Sequence, residues 1–237
     1  MSDRHIVKSY DRDLEGIQAL IMKMGGLVEA AILEAANSLD NRDEEAAERV
    51  RANDKVIDAL EDQVNQACAR MLALRQPSAG DLRTVLSVMK ISSNLERVGD
   101  YAKNMGKRTG VLVQMSPIEG ASGAIRRMAK VVERMLKDAL DAYIQRDAEL
   151  AQDVRMRDHE VDQMYNALFR EFLTFMMEDP RNITACMHLH FIAKNIERMG
   201  DHVTGIAEQV IYLVTGAMPE DDRPKADQTA TAAPSAP

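Results

Sequence analysis

Tryptophan is absent from this 237-residue chain, and aromatic residues make up only 4% of it. Any core must therefore come from aliphatic side chains, and leucine, alanine, isoleucine and 16 methionines suit a helical one. Cysteine occurs twice. Cys68 and Cys186 lie far apart and form no CxxC pair, which excludes a disulfide framework and predicts reduced core thiols in a cytoplasmic protein. Basic residues are outnumbered, 30 against 38 acidic, for a net charge of −8. That balance argues against a nucleic-acid footprint, which would need a basic stripe. No stretch of 18 apolar residues occurs, so no membrane span is predicted. No apolar segment follows the opening Met-Ser-Asp-Arg-His, so no secretion signal is predicted either. The chain holds no GxSxG, no P-loop and no HExxH, and none of its five histidines follows a glutamate by three residues. These absences weigh against nucleophilic hydrolases, nucleotide enzymes and Glu-x-x-His di-iron bundles.

What is present is helical throughout. The chain is 46% hydrophobic and 29% charged, and its valines and isoleucines fall at helical spacing with no alternating runs. A first helix is predicted over about 11–39, with seam Leu14, Ile17, Ile21, Met24, Val28, Ala31 and Ala35. A second is predicted over 43–75, with seam Val50, Ile57, Leu60, Val64, Ala67, Met71 and Leu74. A third spans 81–112, after a connection at Pro77–Gly80 where Ser78 or Asp81 could cap it. Met115–Gly123 reads as a linker. Helices over 125–145, 148–177 and 183–214 follow, with a turn at Asp179-Pro180. The expected fold is all-α: two tandem antiparallel three-helix bundles over 1–115 and 116–218. Residues 219–237, rich in Pro, Ala, Thr and Asp, are expected to form a disordered tail.

The two halves are copies. Asn94-Leu-Glu96-Arg-Val-Gly-Asp100 returns as Asn195-Ile-Glu197-Arg-Met-Gly-Asp201, with five of seven positions identical. At an offset of 104, twelve of the 35 positions from Met24 to Asp58 match Met128 to Asp162. They include Glu29/Glu133, Arg42/Arg146, Asp43/Asp147, Arg51/Arg155, Asp54/Asp158 and Asp58/Asp162. A period this long indicates a duplicated domain and not a solenoid.

The duplication preserves an acidic device. Glu96 and Asp100 lie one turn apart on a helix face, as do Glu197 and Asp201. Both pairs continue the stripe begun by Leu82, Val85, Leu86 and Met89, or by Ile183, Cys186 and Met187, which is taken as the inward face. The middle helix of each half carries a partner pair, Asp54/Asp58 and Asp158/Asp162. Antiparallel packing would let each pair of pairs share one patch. Four clustered carboxylates raise one another's pKa or require cations, and hard oxygen donors suit divalent or trivalent metals. Acids at this spacing are common on solvated faces, but the same register twice, on both partner helices, weighs against that reading. Asn94/Asn195 and Arg97/Arg198 are expected to pack or hydrogen-bond rather than ligate, and Gly99/Gly200 to permit close helix approach. Glu29/Glu133 on the first helix of each half is a weaker candidate that reads more readily as a solvated flank, and His190 reads as a satisfied interior residue. A carboxylate-bridged metal enzyme on a helical bundle is the alternative to a binding protein.

The tandem Asn-[Leu/Ile]-Glu-Arg-[Val/Met]-Gly-Asp motifs resemble the PhoU family. So do Arg75-Gln-Pro-Ser-Ala-Gly-Asp81-Leu-Arg83, Met176-Met-Glu-Asp-Pro180, His5-Ile-Val-Lys-Ser-Tyr-Asp11 and Met24-Gly-Gly-Leu-Val-Glu29. The resemblance covers about residues 4–217. It implies a non-enzymatic, cytoplasmic regulator of phosphate uptake, which holds the phosphate-starvation response off when phosphate is plentiful. The implied partners are the ATPase subunit of the phosphate ABC transporter, a sensor histidine kinase and a second copy of the chain. The membrane is reached only through them. It also implies multinuclear metal clusters of iron, zinc, manganese or magnesium on E/D-x-x-x-D motifs, here Asp54/Asp58, Glu96/Asp100, Asp158/Asp162 and Glu197/Asp201. The Ala/Pro/Thr-rich tail lies outside the family pattern. Lys107 stands opposite Glu208 in the repeat, which suggests that the two sites differ in ligand number.

Overall fold

The structure is a computed structural model that describes residues 2–74 and 79–219, with side chains over 12–74 and 80–219. The expected tail beyond residue 219, the connection at 75–78 with its Ser78 cap, and the side chains of the His5–Asp11 segment lie outside the described residues. Six helices run in order: α1 (Ser2–Asn41), α2 (Glu44–Leu74), α3 (Ala79–Leu112), α4 (Ala121–Gln145), α5 (Ala148–Glu178) and α6 (Ile183–Thr215). A single 3-10 turn, Pro180–Asn182, precedes α6. α1 starts at Ser2, well before the expected Asp11.

The duplicated Arg-Asp step builds the same hairpin corner in each half. Arg42 and Arg146 both take the left-handed conformation, at φ 55° and 56°, which stops α1 and α4. The aspartate that follows then caps the next helix. Asp43 Oδ1 accepts from the Ala46 amide at 2.9 Å, and Asp147 Oδ1 accepts from the Glu149 and Leu150 amides at 2.9 and 3.0 Å. The Arg42 guanidinium adds a long-range tie, donating to the Val113 and Met115 carbonyls at 2.7 and 2.6 Å.

α1, α2 and α3 pack on one another, as do α4, α5 and α6. The halves are also joined along α1–α4 and, over the most extensive helix pairing, along α3–α6. One hydrophobic core therefore runs through both bundles. Most of the expected seams are buried, including Ile17, Ile21, Met24, Val28 and Ala35 of α1 and Met128, Val132, Met135 and Ala139 of α4. Between residues 12 and 41, α1 is long and apolar enough to cross a membrane by length and composition. Its apolar side faces the bundle, and Lys23, Glu29 and Glu34 interrupt it. Cys68 and Cys186 are free and buried, and burial pushes the Cys68 thiol up to about 11.

Two expectations are corrected. Leu74 closes the α2 seam in the sequence but is 75% exposed. The stripe taken as inward is split: Val85 and Cys186 are buried, but Leu82, Leu86, Ile183 and Met187 face outward. The buried face of α3 is Val85, Val88, Ile91, Leu95, Val98, Ala102 and Met105, and that of α6 is Cys186, Leu189, Ile192, Ala193, Ile196 and Met199. Glu96 and Asp100 are half-buried, at the border between that face and solvent.

At its far end α3 closes tightly on α2. A Cβ on Gly106 would lie 2.7 Å from the Ala47 carbonyl oxygen, which is backbone and cannot swing away. Gly106→Ala gains helix propensity of about 1 kcal/mol but forces the helices apart, and we expect a net loss of about 1–2 kcal/mol. Urea denaturation checks this, and a variant as stable as the wild type would show that α2 moves freely.

Candidate functional site

In the first half, α2 supplies Asp54 and Asp58, and α3 supplies Glu96 and Asp100. The helices approach at Gly99, where a Cβ would meet Ile57 Cδ1 at 3.0 Å and Asp54 Oδ1 at 3.8 Å. Asp54 is only 4% exposed. Its Oδ2 accepts a hydrogen bond from Lys103, and its buried Oδ1 has no hydrogen-bond partner. Lys103 Nζ also donates to Asp100 Oδ1 at 2.9 Å. Asp58 is exposed, yet its pKa is raised, first by desolvation, then by Asp54, against the pull of Lys103, with Asp100 and Asp62 adding to the rise. Glu96 is pushed up to about 7, first by burial and then by Asp100, against the pull of Arg97, with Glu61 and Asp58 adding to it. The expected pair of pairs does come together, since Asp58 is raised by Asp54 and Asp100, and Glu96 by Asp100 and Asp58.

The second half repeats the plan more deeply. Asp158, Asp162 and Glu197 are 2%, 4% and 6% exposed, and Asp201 is partly buried. Gly200 makes the approach possible, since a Cβ there would fall 2.9 Å from Asp158 Oδ1. Lys194 Nζ lies 2.9 Å from Glu197 Oε2 and 4.9 Å from the centre of the Tyr165 ring. Glu208 is taken up by Arg155, which is 5% exposed and 3.1 Å away. In the first half the equivalent Arg51 pairs instead with Glu48, and Lys107 contacts Asn104 at 3.5 Å. Beside the patches, Glu208 thus holds an arginine where Lys107 contacts an asparagine.

The supporting residues behave as their types suggest. Asn94 stands between the halves, its Oδ1 2.8 Å from His202 Nδ1 and its Nδ2 donating to the Lys90 carbonyl at 2.9 Å. His190 packs among Tyr165, Phe169 and Phe191, with ring centres 5.4–5.8 Å apart. Glu29 and Glu133 are half-buried and not solvated flanks. Desolvation raises the pKa of Glu29 first, and Glu133 across the α1–α4 junction raises it further.

Among the described residues, no three His, Cys, Asp or Glu side chains are posed to hold an ion as they stand. The donor set nevertheless fits one in the first half. The orphaned buried oxygen of Asp54 and the mutually repelling carboxylates around it create a demand for positive charge, which Lys103 meets in part. Two lysines central to this geometry were not singled out in the sequence. Lys103 and Lys194 each fall three residues from a motif acid, at positions that break the repeat: Thr204 stands opposite Lys103, and Ser93 opposite Lys194. Charge complementarity at i, i+3 was the available signal.

A model of the PhoU domain matches twice, over residues 21–109 and 125–210. The chain belongs to the PhoU family. It is 46% identical over 223 residues to a phosphate-specific transport system accessory protein PhoU homolog of Caulobacter vibrioides, covering 94% of this chain and 97% of that protein. It is 42% identical to the Rhizobium meliloti protein of the same name, over 98% of each. The crystal structure of PhoU from Pseudomonas aeruginosa superposes with a TM-score of 0.85 at 38% identity, covering 88% of this chain and all of that one. That of the phosphate transport system regulatory protein PhoU from Streptococcus pneumoniae gives 0.82 at 29% identity, over 89% and 99%. The two PhoU repeats correspond to α1–α3 and α4–α6, and each contains one acidic patch.

Proposed function

We propose that this protein is a cytoplasmic accessory subunit of a phosphate-specific transport system and represses the phosphate-starvation response by contact rather than by chemistry. The observation that carries this reading is its likeness, across 94% of its length, to a relative named as such an accessory protein. The contacts proposed are with the transporter's ATPase subunit, a sensor histidine kinase and a second copy of the chain. Exposed apolar residues on α3 and α6, Leu82, Leu86, Ile183 and Met187, lead along both helices toward the acidic patches and suit such docking. Asp54, Asp58, Glu96 and Asp100 would hold a divalent or trivalent metal in one half, and Asp158, Asp162, Glu197 and Asp201 in the other. A bound metal would turn an anionic face into one able to attract anions.

Deletion of the gene should switch starvation genes on in phosphate-rich medium, and the wild-type chain should restore repression. The kinase or the ATPase subunit should co-purify with it. Silent starvation genes in the deletion strain, with neither partner recovered, would end the adaptor reading.

A further inference from the structure

We propose that Lys103 is the resident counter-ion of the first acidic patch, so that a metal cation enters there only by displacing its ammonium group. This rests on the metal reading above and adds a residue and a mode of entry to it.

Lys103 bridges the two helices of the patch, donating to Asp54 Oδ2 on α2 and to Asp100 Oδ1 on α3. A bridging cation would be held by the same two side chains. Asp54 is nearly buried, and its second oxygen still lacks a donor. One ammonium with a single point of charge therefore leaves the patch short of donors, whereas a cation of higher charge could engage both oxygens. The lysine can leave, because its side chain is 28% exposed and its flexible stem reaches solvent. The duplication supplies the contrast. Thr204, the residue opposite Lys103, is fully buried and donates to the Gly200 carbonyl at 3.0 Å, so no side chain at that position bridges the second patch. There Lys194 approaches Glu197 from the preceding turn. Each copy of the domain thus carries a lysine of its own, at a different place in the repeat.

The test is calorimetric titration of the full-length, chelator-treated protein with Mn²⁺. A background of Glu197→Gln and Asp201→Asn silences the second patch. Lys103→Thr, which copies the other half, and Lys103→Met, which keeps the stem, should each tighten Mn²⁺ binding by about tenfold or more, since no ammonium need be displaced. Lys103→Arg should not tighten it. Without metal, Lys103→Thr should melt at a lower temperature than the parent, and Mn²⁺ should reverse the loss. Circular dichroism establishes that the variants fold. Equal or weaker binding in both Lys103→Thr and Lys103→Met, with Mn²⁺ still bound by the parent, would overturn this inference alone. Absence of Mn²⁺ binding by the wild-type chain and every variant would overturn the metal reading as well.

Discussion

Asp100→Ala combined with Asp201→Ala should strip the protein of nearly all the metal it can bind at saturation. Either substitution alone should remove about half, because two sites in separate bundles act independently and their losses add. Both halves hold these acids in the same register. Each aspartate is the last acid of its motif and sits one turn beyond Glu96 or Glu197. In the first half Asp100 is also the α3 partner of the lysine that bridges to Asp54. Removing Asp100 deletes a donor and also lets Lys103 settle fully on Asp54, so the first patch loses affinity twice over. In the second half the neighbouring acids are more deeply buried, and loss of Asp201 leaves Asp158 and Glu197 without the fourth carboxylate. Elemental analysis of protein equilibrated with excess metal and then desalted measures the stoichiometry. An unchanged metal content in the double variant would show that the duplicated motifs are not the ligands. Loss of all metal in Asp100→Ala alone would show that only one half binds.

Most of the architecture could be read from residue spacing. Apolar residues at steps of three and four gave the α1 and α4 seams, whose side chains are buried as expected apart from the half-buried Leu14. The Arg-Asp corners at residues 42–43 and 146–147 were visible as matched positions in the repeat. The inward face of α3 was misread for an identifiable reason. Leu82, Val85, Leu86 and Met89 all satisfy helical periodicity, but Val85 is 1% exposed and Leu86 43%. Periodicity reports that a stripe exists and cannot say which of two apolar stripes meets the core. For α6 the same ambiguity placed Met187 inside. The acidic patches were legible because the spacing of Asp54/Asp58 and Glu96/Asp100 puts each pair on one helix face. Their counter-ions were not. Lys103 reaches Asp54 across 49 residues of chain only because Gly99 lets α2 and α3 approach, a tertiary fact that no local pattern carries. The Arg155–Glu208 pair escaped for the same reason, since its members lie 53 residues apart.

Glu96 should make the metal-free protein less stable as pH rises through neutrality. Its carboxyl is pushed up to about 7 from an ordinary value of 4.5, so the folded chain keeps a proton there that the unfolded chain releases. The stabilising contribution is therefore fully present below about 4.5 and is lost as pH climbs through about 7. The groups facing it explain the direction. Asp58 and Glu61 approach from α2, Asp100 shares its own helix, and only Arg97 opposes them, at 3.6 Å and largely in solvent. The side chain is 19% exposed, and solvent screening reduces the full effect of the shift to about 2 kcal/mol. Two histidines work the other way in the same window. His188 and His202 have lowered pKa values, chiefly from burial, so the unfolded chain takes up their protons first and acid weakens the fold through them. The total stability curve mixes the two effects, but the difference between wild type and Glu96→Gln isolates the carboxylate. In urea denaturation of chelator-treated protein, Glu96→Gln should be more stable than wild type by ~2 kcal/mol at about pH 8, and the gap should close by about pH 5. A constant gap across that range would mean that Glu96 ionises as freely in the fold as in the unfolded chain, and that the first patch already holds its charge without help from a cation.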